Sequence, residues 1–136
     1  MTTYADGSAL ARALATDPES VSWLRWSAQH AGDLVTSPLG IAQLRHVARG
    51  MDAVARGRAH EIATRTRVVR FSDQAVEHAA VLGLDAFRAL HLGVVLAEAG
   101  VGGLATYDVG LARAADLEGV AVLTPGRHDG WWFAAS

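Results

Sequence analysis

Short apolar runs alternate with longer segments of helical periodicity along the whole chain. The apolar runs predict five strands, over residues 2–6, 33–37, 66–71, 102–108 and 119–126. Strands that alternate with helices in this way form a mostly parallel sheet with helices on both faces. The pattern therefore predicts a three-layer α/β/α sandwich around a five-stranded, mostly parallel sheet. The fifth run is apolar throughout, as expected of a strand that is covered on both faces.

Local signals set the boundaries of the predicted helices. Asp17 precedes Pro18, which is the order of an N-cap followed by proline in the first helical turn. A long helical stretch begins at Pro38, and we expect it to break at Gly50 or Gly57.

The segment LDAFRALHLG, residues 84–93, predicts the middle of an amphipathic helix that ends near Gly100. Asp85 and Arg88 are three residues apart, so both side chains lie on one helical face and can pair. A surface pair of this kind contributes only a few tenths of a kcal/mol. His91, in the same segment, is expected to be a buried histidine whose hydrogen bonds are satisfied.

Length and composition restrict the possible functions. The 136 residues argue for one domain, over 1–126, followed by an aromatic tail over 127–136. The absence of cysteine excludes disulfides, thiolate zinc sites and cysteine nucleophiles. The formal net charge of −2 argues against a general electrostatic attraction to nucleic acid. The sequence shows no secretory signal and no apolar run of membrane length, so we expect a soluble, cytoplasmic protein without a membrane partner.

Two aspartates fall at the ends of predicted strands. Asp6 ends the first strand and Asp108 ends the fourth. Ligands of open α/β sheets bind outside the carboxyl ends of the strands, near the point where the strand order reverses. Both carboxylates are therefore expected to face one crevice, where they can ligate Mg²⁺ or Mn²⁺. The alternative for either residue alone is a helix N-cap.

Five blocks occur in order along the chain: YADGSAL, VTSPLGIAQL, RALHL, TYDVGLARAA and GVAVLTPG. They resemble the successive blocks of PIN-domain proteins of the VapC toxin type, over about residues 2–126. The resemblance implies a five-stranded parallel sheet between helices and a Mg²⁺- or Mn²⁺-dependent endoribonuclease that cuts RNA. It also implies a homodimer and a small antitoxin protein that holds the enzyme inactive.

The resemblance further implies four acids around one or two metal ions. The first corresponds to Asp6, with Ser8 as the hydroxyl two residues later, and the fourth corresponds to Asp108. The second is a glutamate in the helix after strand two, where this chain has Gln43. The third is an aspartate before A-L-H-L, where this chain has Arg88. Two of the implied metal-site acids are therefore present and two are replaced.

The two replacements have different consequences. Gln43 still offers a carbonyl oxygen but no charge, whereas the Arg88 guanidinium stays protonated and only donates. We expect Arg88 to bridge Asp6 and Asp108 in place of a metal ion, and nuclease activity to be weak or absent. Asp85, one turn before Arg88, is the candidate substitute ligand. A single sequence leaves open whether positions 43 and 88 are natural or introduced.

Two further features concern binding surfaces. Basic residues cluster in the long second helical region: Arg45, His46, Arg49, Arg56 and Arg58. They suit either an RNA backbone, which is bound mainly through its charge, or a solvated helix face paired with Asp52 and Glu61.

The aromatic cluster of the tail consists of Trp131, Trp132 and Phe133. Aromatic residues are strong interface anchors, so this cluster is a candidate to dock on a second subunit or an antitoxin. The alternative is that it packs on its own domain.

Overall fold

The computed structural model of the protein describes residues 1–134. Its five strands are β1 (Thr2–Ala5), β2 (Leu34–Thr36), β3 (Arg67–Val68), β4 (Val101–Ala105) and β5 (Ala121–Leu123). They form one sheet of order β3-β2-β1-β4-β5, and each neighbouring pair is parallel. The predicted parallel α/β sheet is therefore confirmed.

Within residues 1–134, eight helices connect and cover the strands. They are α1 (Gly7–Leu10), α2 (Pro18–Gln29), α3 (Pro38–Arg49), α4 (Ala53–Arg65), α5 (Asp73–Ala80), α6 (Ala86–Ala97), α7 (Val109–Leu117) and α8 (Trp131–Ala134). Short 3₁₀ turns follow α1 and α2, over Ala11–Leu14 and Ala31–Asp33. The Asp17 side chain caps α2 at Ser20 N, as predicted. The long second helical region breaks at Gly50, and Gly57 lies inside α4.

Successive residues of the central strands point to opposite faces of the sheet, as the two-residue period of a strand requires. Ala5 and Ala105 belong to the apolar cluster that also contains α1–α4 residues such as Trp23. Tyr4 and Leu104 belong to the cluster formed with α5, α6 and α7. The sheet is therefore the middle layer of three, as predicted.

Two local predictions are wrong. The fifth strand is short, lies at the edge of the sheet and is only partly buried, with Ala121 exposed, although its apolar sequence predicted a covered strand. Its apolar residues, such as Val122, instead support α7 and the C-terminal segment. The segment 84–93 is not the middle of a helix, because Asp85 is the N-cap of α6 and its side chain accepts from Arg88 N.

The C-terminal segment packs on the domain. Trp131 and Trp132 are buried against Ala112 of α7, and the Trp131 indole N–H donates to Thr124 Oγ1 at 2.8 Å. The neighbouring Phe133 is 67% exposed. The sequence left two alternatives for these aromatic residues, and the structure places the two tryptophans on their own domain. Among residues 1–134, none of the helices combines the length and the apolar character required to cross a bilayer.

Candidate functional site

The carboxyl ends of β1 and β4 lie side by side in the middle of the sheet, and an aspartate follows each strand. Asp6 comes directly after β1 and Asp108 three residues after β4. The chain places β2 and β3 on one side of β1 and then returns to the other side with β4. The strand order therefore reverses between β1 and β4, where α/β sheets bind their ligands. The sequence predicted this convergence correctly.

Asp6 is buried and held by three neutral donors. Its Oδ1 accepts from Ser8 Oγ at 2.7 Å and from Ala9 N at 2.9 Å, which makes Asp6 the N-cap of α1. Its Oδ2 accepts from Thr106 Oγ1 at 2.6 Å. The residue is only 3% exposed, and this burial raises the pKa of the Asp6 carboxyl to about 6. The hydrogen bonds oppose that shift without cancelling it.

Asp108 is paired with Arg88 through two parallel hydrogen bonds. Arg88 Nε donates to Asp108 Oδ2 at 2.6 Å, and Nη2 donates to Oδ1 at 3.0 Å. The third nitrogen, Nη1, donates to Asp85 Oδ1 at 2.9 Å. Hydrogen bonds to Asp108 and then to Asp85 raise the pKa of Arg88 further above its ordinary value. The guanidinium is thus fixed between two carboxylates as a permanent cation.

The expected bridge from Arg88 to Asp6 is not found among the described residues, because Asp85 takes the place of Asp6 as the second partner. The start of α6 explains the difference. Asp85 precedes the helix and its carboxylate turns back over the first turn, where it meets the Arg88 side chain. Asp85 is therefore engaged as an N-cap and an ion-pair partner.

Gln43 belongs to a partly buried chain of hydrogen bonds that links α1, α3, α6 and β1. Its Oε1 accepts from Gly7 N at 3.2 Å and from His91 Nε2 at 2.7 Å. The His91 Nδ1 then accepts from the Tyr4 hydroxyl at 2.6 Å, and Tyr4 accepts from Ser37 Oγ at 2.7 Å. Burial lowers the pKa of His91 to about 4, so the ring is neutral near pH 7. His91 is the satisfied buried histidine that the sequence predicted.

These groups line one open cleft of about 600 Å³. The polar residues that line it are Asp6, Ser8, Gln43, His46, Arg88, His91 and Asp108. Its apolar lining includes Leu39, Ala42, Val47 and Phe87. The cleft therefore brings together the predicted site residues from α1, α3, α6 and α7.

The polar groups of the cleft do not fit a bound Mg²⁺ or Mn²⁺. Such ions need several free oxygen ligands, yet both oxygens of Asp108 accept from Arg88. The Gln43 carbonyl already accepts two N–H groups. Within residues 1–134, no group of three or more histidine, cysteine, aspartate or glutamate side chains is placed to hold a metal ion.

Sequence reasoning missed Thr106, which connects the two aspartates. Its hydroxyl donates to Asp6 and accepts from Asp108 N at 3.1 Å. Ser8 Oγ adds a second connection, because it accepts from Tyr107 N at 2.9 Å. The available signal was the hydroxyl two residues before Asp108 in T-Y-D, at the end of the same strand.

Two solved structures share this architecture. The crystal structure of FitAcB from Neisseria gonorrhoeae has a TM-score of 0.70 and 19% identity, and the match covers 93% of this chain and 100% of that chain. The crystal structure of VapBC2 from Rickettsia felis bound to a DNA fragment from their promoter has a TM-score of 0.67 and 12% identity. That match covers 90% of this chain and 98% of the other.

The chain thus has the PIN-like α/β/α fold of these two structures. At 12% and 19% identity the likeness extends to the fold alone. No protein-family model matches the sequence, and no curated protein matches it significantly.

Proposed function

We propose that this chain is a PIN-like domain related to the Mg²⁺-dependent endoribonuclease toxins, with weak or no nuclease activity. The observation that carries the proposal is the bidentate bond from Arg88 to Asp108. A guanidinium at this position supplies the positive charge that a metal ion supplies in a four-carboxylate site. It does not activate water or act as a Lewis acid, which are the chemical roles of a metal ion in hydrolysis.

The remaining polar groups of the cleft support the same proposal. Asp6 is buried with three neutral donors and no cation, and its raised pKa makes it a poor ligand at mildly acidic pH. His91 is neutral and bound on both ring nitrogens, so it is not free to act as a base. In this arrangement the domain works as a binding module for RNA or protein and not as a nuclease.

The partners we propose are a second copy of this chain and a small antitoxin protein. Support comes from the fold, which the FitAcB and VapBC2 structures share, and from the resemblance of the sequence to VapC-type toxins, which implies a homodimer and a small antitoxin. The exposed apolar side chains at the cleft, Val47 and Phe87, suit a protein partner. Light scattering of the purified protein tests the dimer directly.

Calorimetric titration with Mn²⁺ tests the central proposal, with Asp6→Ala as the control. We expect no binding to the wild-type protein and no RNA cleavage in Mg²⁺. Micromolar Mn²⁺ binding that disappears in Asp6→Ala would contradict the proposal, because Asp85 or Gln43 would then complete a metal site. Cleavage of RNA that requires Mg²⁺ and is lost in Asp6→Ala would contradict it equally.

A further inference from the structure

Three arginines surround a small groove on the α3–α4 hairpin, away from the cleft. Arg45 and Arg49 come from α3, and Arg56 comes from the first turns of α4. The floor is formed by Ala48 and Ala59, and the space is about 180 Å³. None of the described residues that line it is acidic. The groove therefore combines three cations and two small side chains in an open, shallow site.

Arg45, Arg49 and Arg56 form no ion pair with the residues that the structure describes. The ion pairs found among those residues involve other arginines, such as Arg12, Arg88 and Arg127. Pairing of the hairpin with Asp52 and Glu61, one of the two alternatives from the sequence, is not found among them. Asp52 instead caps α4 at Ala55 N.

The local geometry also favours an anion. Arg45 and Arg49 are one helical turn apart, and like charges at this spacing cost a few tenths of a kcal/mol in an isolated helix. Arg56 is held in place because its Nη1 donates to Met51 O at 2.7 Å. Among the described residues, no other hydrogen bond of the Arg56 guanidinium is found, and Arg56 lines the groove. An anion bound between the two helices relieves the repulsion among all three cations.

We propose that the groove of Arg45, Arg49 and Arg56 is a phosphate-binding site. The planar fork of a guanidinium matches the oxygens of a phosphate, and the bonds formed are charge-assisted. The groove volume suits a single phosphate group and is too small to enclose a nucleoside as well. Two sources carry this chemistry: the backbone of single-stranded RNA, and small compounds with a free phosphate or pyrophosphate.

This site is separate from the cleft. The α3 residues of the cleft are Leu39, Ala42, Gln43, His46 and Val47, and none of them lines the groove. Phosphate binding there is consequently independent of the role of Arg88. The experiment is run in EDTA, so that metal-dependent cleavage does not enter the measurement.

The test is the anisotropy of a short fluorescent oligouridylate at several salt concentrations. The variant Arg45→Gln/Arg49→Gln/Arg56→Gln is compared with Arg25→Gln/Arg67→Gln/Arg70→Gln. The second set removes the same charge from exposed arginines that form no ion pair within residues 1–134. Each phosphate contact on a single strand contributes roughly 0.7 to the slope of log K against log salt. We expect the slope to fall by about 2 in the groove variant and to change little in the control.

Competition with inorganic pyrophosphate identifies the source of the phosphate. If pyrophosphate competes weakly and the affinity for oligouridylate increases with its length, the result supports the RNA backbone as the source of the phosphate. Pyrophosphate binding as strong as that of the oligomer, and lost in the groove variant, supports a small phosphate compound. Equal loss in both triple variants, or no binding of either ligand to the wild-type protein, overturns the proposal. The variant Arg45→Gln/Arg49→Gln keeps the hydrogen bond from Arg56 to Met51 O. A loss of RNA or pyrophosphate binding in this variant is therefore not caused by the loss of that hydrogen bond.

Discussion

The Arg88 guanidinium lies where a side chain at Gly110 would have to be. A Cβ built on Gly110 would approach Arg88 Nε to 2.9 Å and Cζ to 3.1 Å. Gly110 is the second residue of α7, and its φ is not positive. The glycine is therefore required for space and not for an unusual backbone conformation. A chain with alanine at this position would not hold Arg88 on Asp108 without a shift.

The Gly110→Ala substitution should destabilise the protein only while Arg88 is present. Alanine is favoured over glycine in a helix by up to about 1 kcal/mol. In the wild-type protein we expect a net loss of about 1 kcal/mol, since the bidentate bond is disturbed. In the Arg88→Ala background we expect Gly110→Ala to leave the free energy of unfolding unchanged or to increase it. Chemical denaturation of the four proteins of the cycle measures this coupling.

Gly57→Ala is the matched control for that cycle. Gly57 lies inside α4, and a Cβ there meets nothing within 4 Å. Alanine at this position should stabilise both backgrounds equally. A destabilisation by Gly110→Ala that persists without Arg88 would show that the two residues are not matched. It would also remove the support that the space at Gly110 gives to Arg88 as a natural residue of this cleft.

Part of this site followed from the sequence because it depends on strand ends. Asp6 and Asp108 terminate or follow strands with clear apolar patterns, and parallel strands place such residues at one edge. The same pattern predicted the layers of the fold. It also predicted too long and too buried a fifth strand, because an apolar run does not distinguish a central strand from an edge strand that supports a helix.

The remaining geometry depends on contacts that no local pattern reports. The choice of Asp85 over Asp6 as the second partner of Arg88 depends on where α6 begins. The connection through Thr106 depends on the register of β4 beside β1. The space at Gly110 depends on the distance between α6 and α7. All three are tertiary relations between residues that are far apart along the chain or on different elements.

Replacement of the buried Asp6 carboxyl should change the dependence of stability on pH. The folded pKa of about 6 lies above the ordinary aspartate value. The folded protein therefore keeps a proton that the unfolded chain has lost, and stability from this group falls as the pH rises from about 4 to about 6. As the pH rises through this window, the free energy of unfolding of Asp6→Asn should increase by roughly 3 kcal/mol relative to that of the wild-type protein. Urea denaturation over the range measures it.

The quantity to compare is the difference in the free energy of unfolding between Asp6→Asn and the wild-type protein. His91 is present in both proteins and changes stability with pH in the opposite direction, so its effect cancels in this difference. Its folded pKa of about 4 lies below the ordinary histidine value. Stability from His91 consequently falls as the pH decreases from about 6.5 to about 4. The two effects overlap in the wild-type profile. A difference in the free energy of unfolding between Asp6→Asn and wild type that does not change with pH would contradict the burial of the Asp6 carboxyl.

The C-terminal aromatic residues should contribute unequally to stability. Trp131→Ala removes a buried ring, its bond to Thr124 and the contact with the Arg127 guanidinium, which lies 4.3 Å from the ring centroid. We expect a loss of about 3 kcal/mol in the free energy of unfolding. Phe133→Ala, at a largely exposed position, should change it by less than about 0.5 kcal/mol. Equal effects of the two substitutions in a denaturant titration would show that the tryptophans do not anchor the tail.

Restoring the two acids implied by the sequence resemblance should create a metal site. The variant Gln43→Glu/Arg88→Asp removes the internal cation and places four carboxylates around one cleft. Their mutual repulsion should lower the stability of the metal-free protein, since charges about 4 Å apart interact by about 4 kcal/mol at an effective dielectric near 20. Bound Mn²⁺ relieves that repulsion. At a concentration of about 100 times Kd it should raise the free energy of unfolding by about 2.7 kcal/mol.

Calorimetry and the thermal midpoint with and without Mn²⁺ measure this gain without any assay of activity. Gln43→Glu/Arg88→Ala is the control, because it removes the guanidinium but supplies one carboxylate fewer, and it should bind Mn²⁺ more weakly. Asp85 is unchanged in both variants, so the N-cap of α6 is preserved. A folded Gln43→Glu/Arg88→Asp protein that binds no Mn²⁺ would mean that more than two substitutions separate this cleft from a metal site. The proposed relation to the ribonuclease toxins would then have no support from the residues of the cleft.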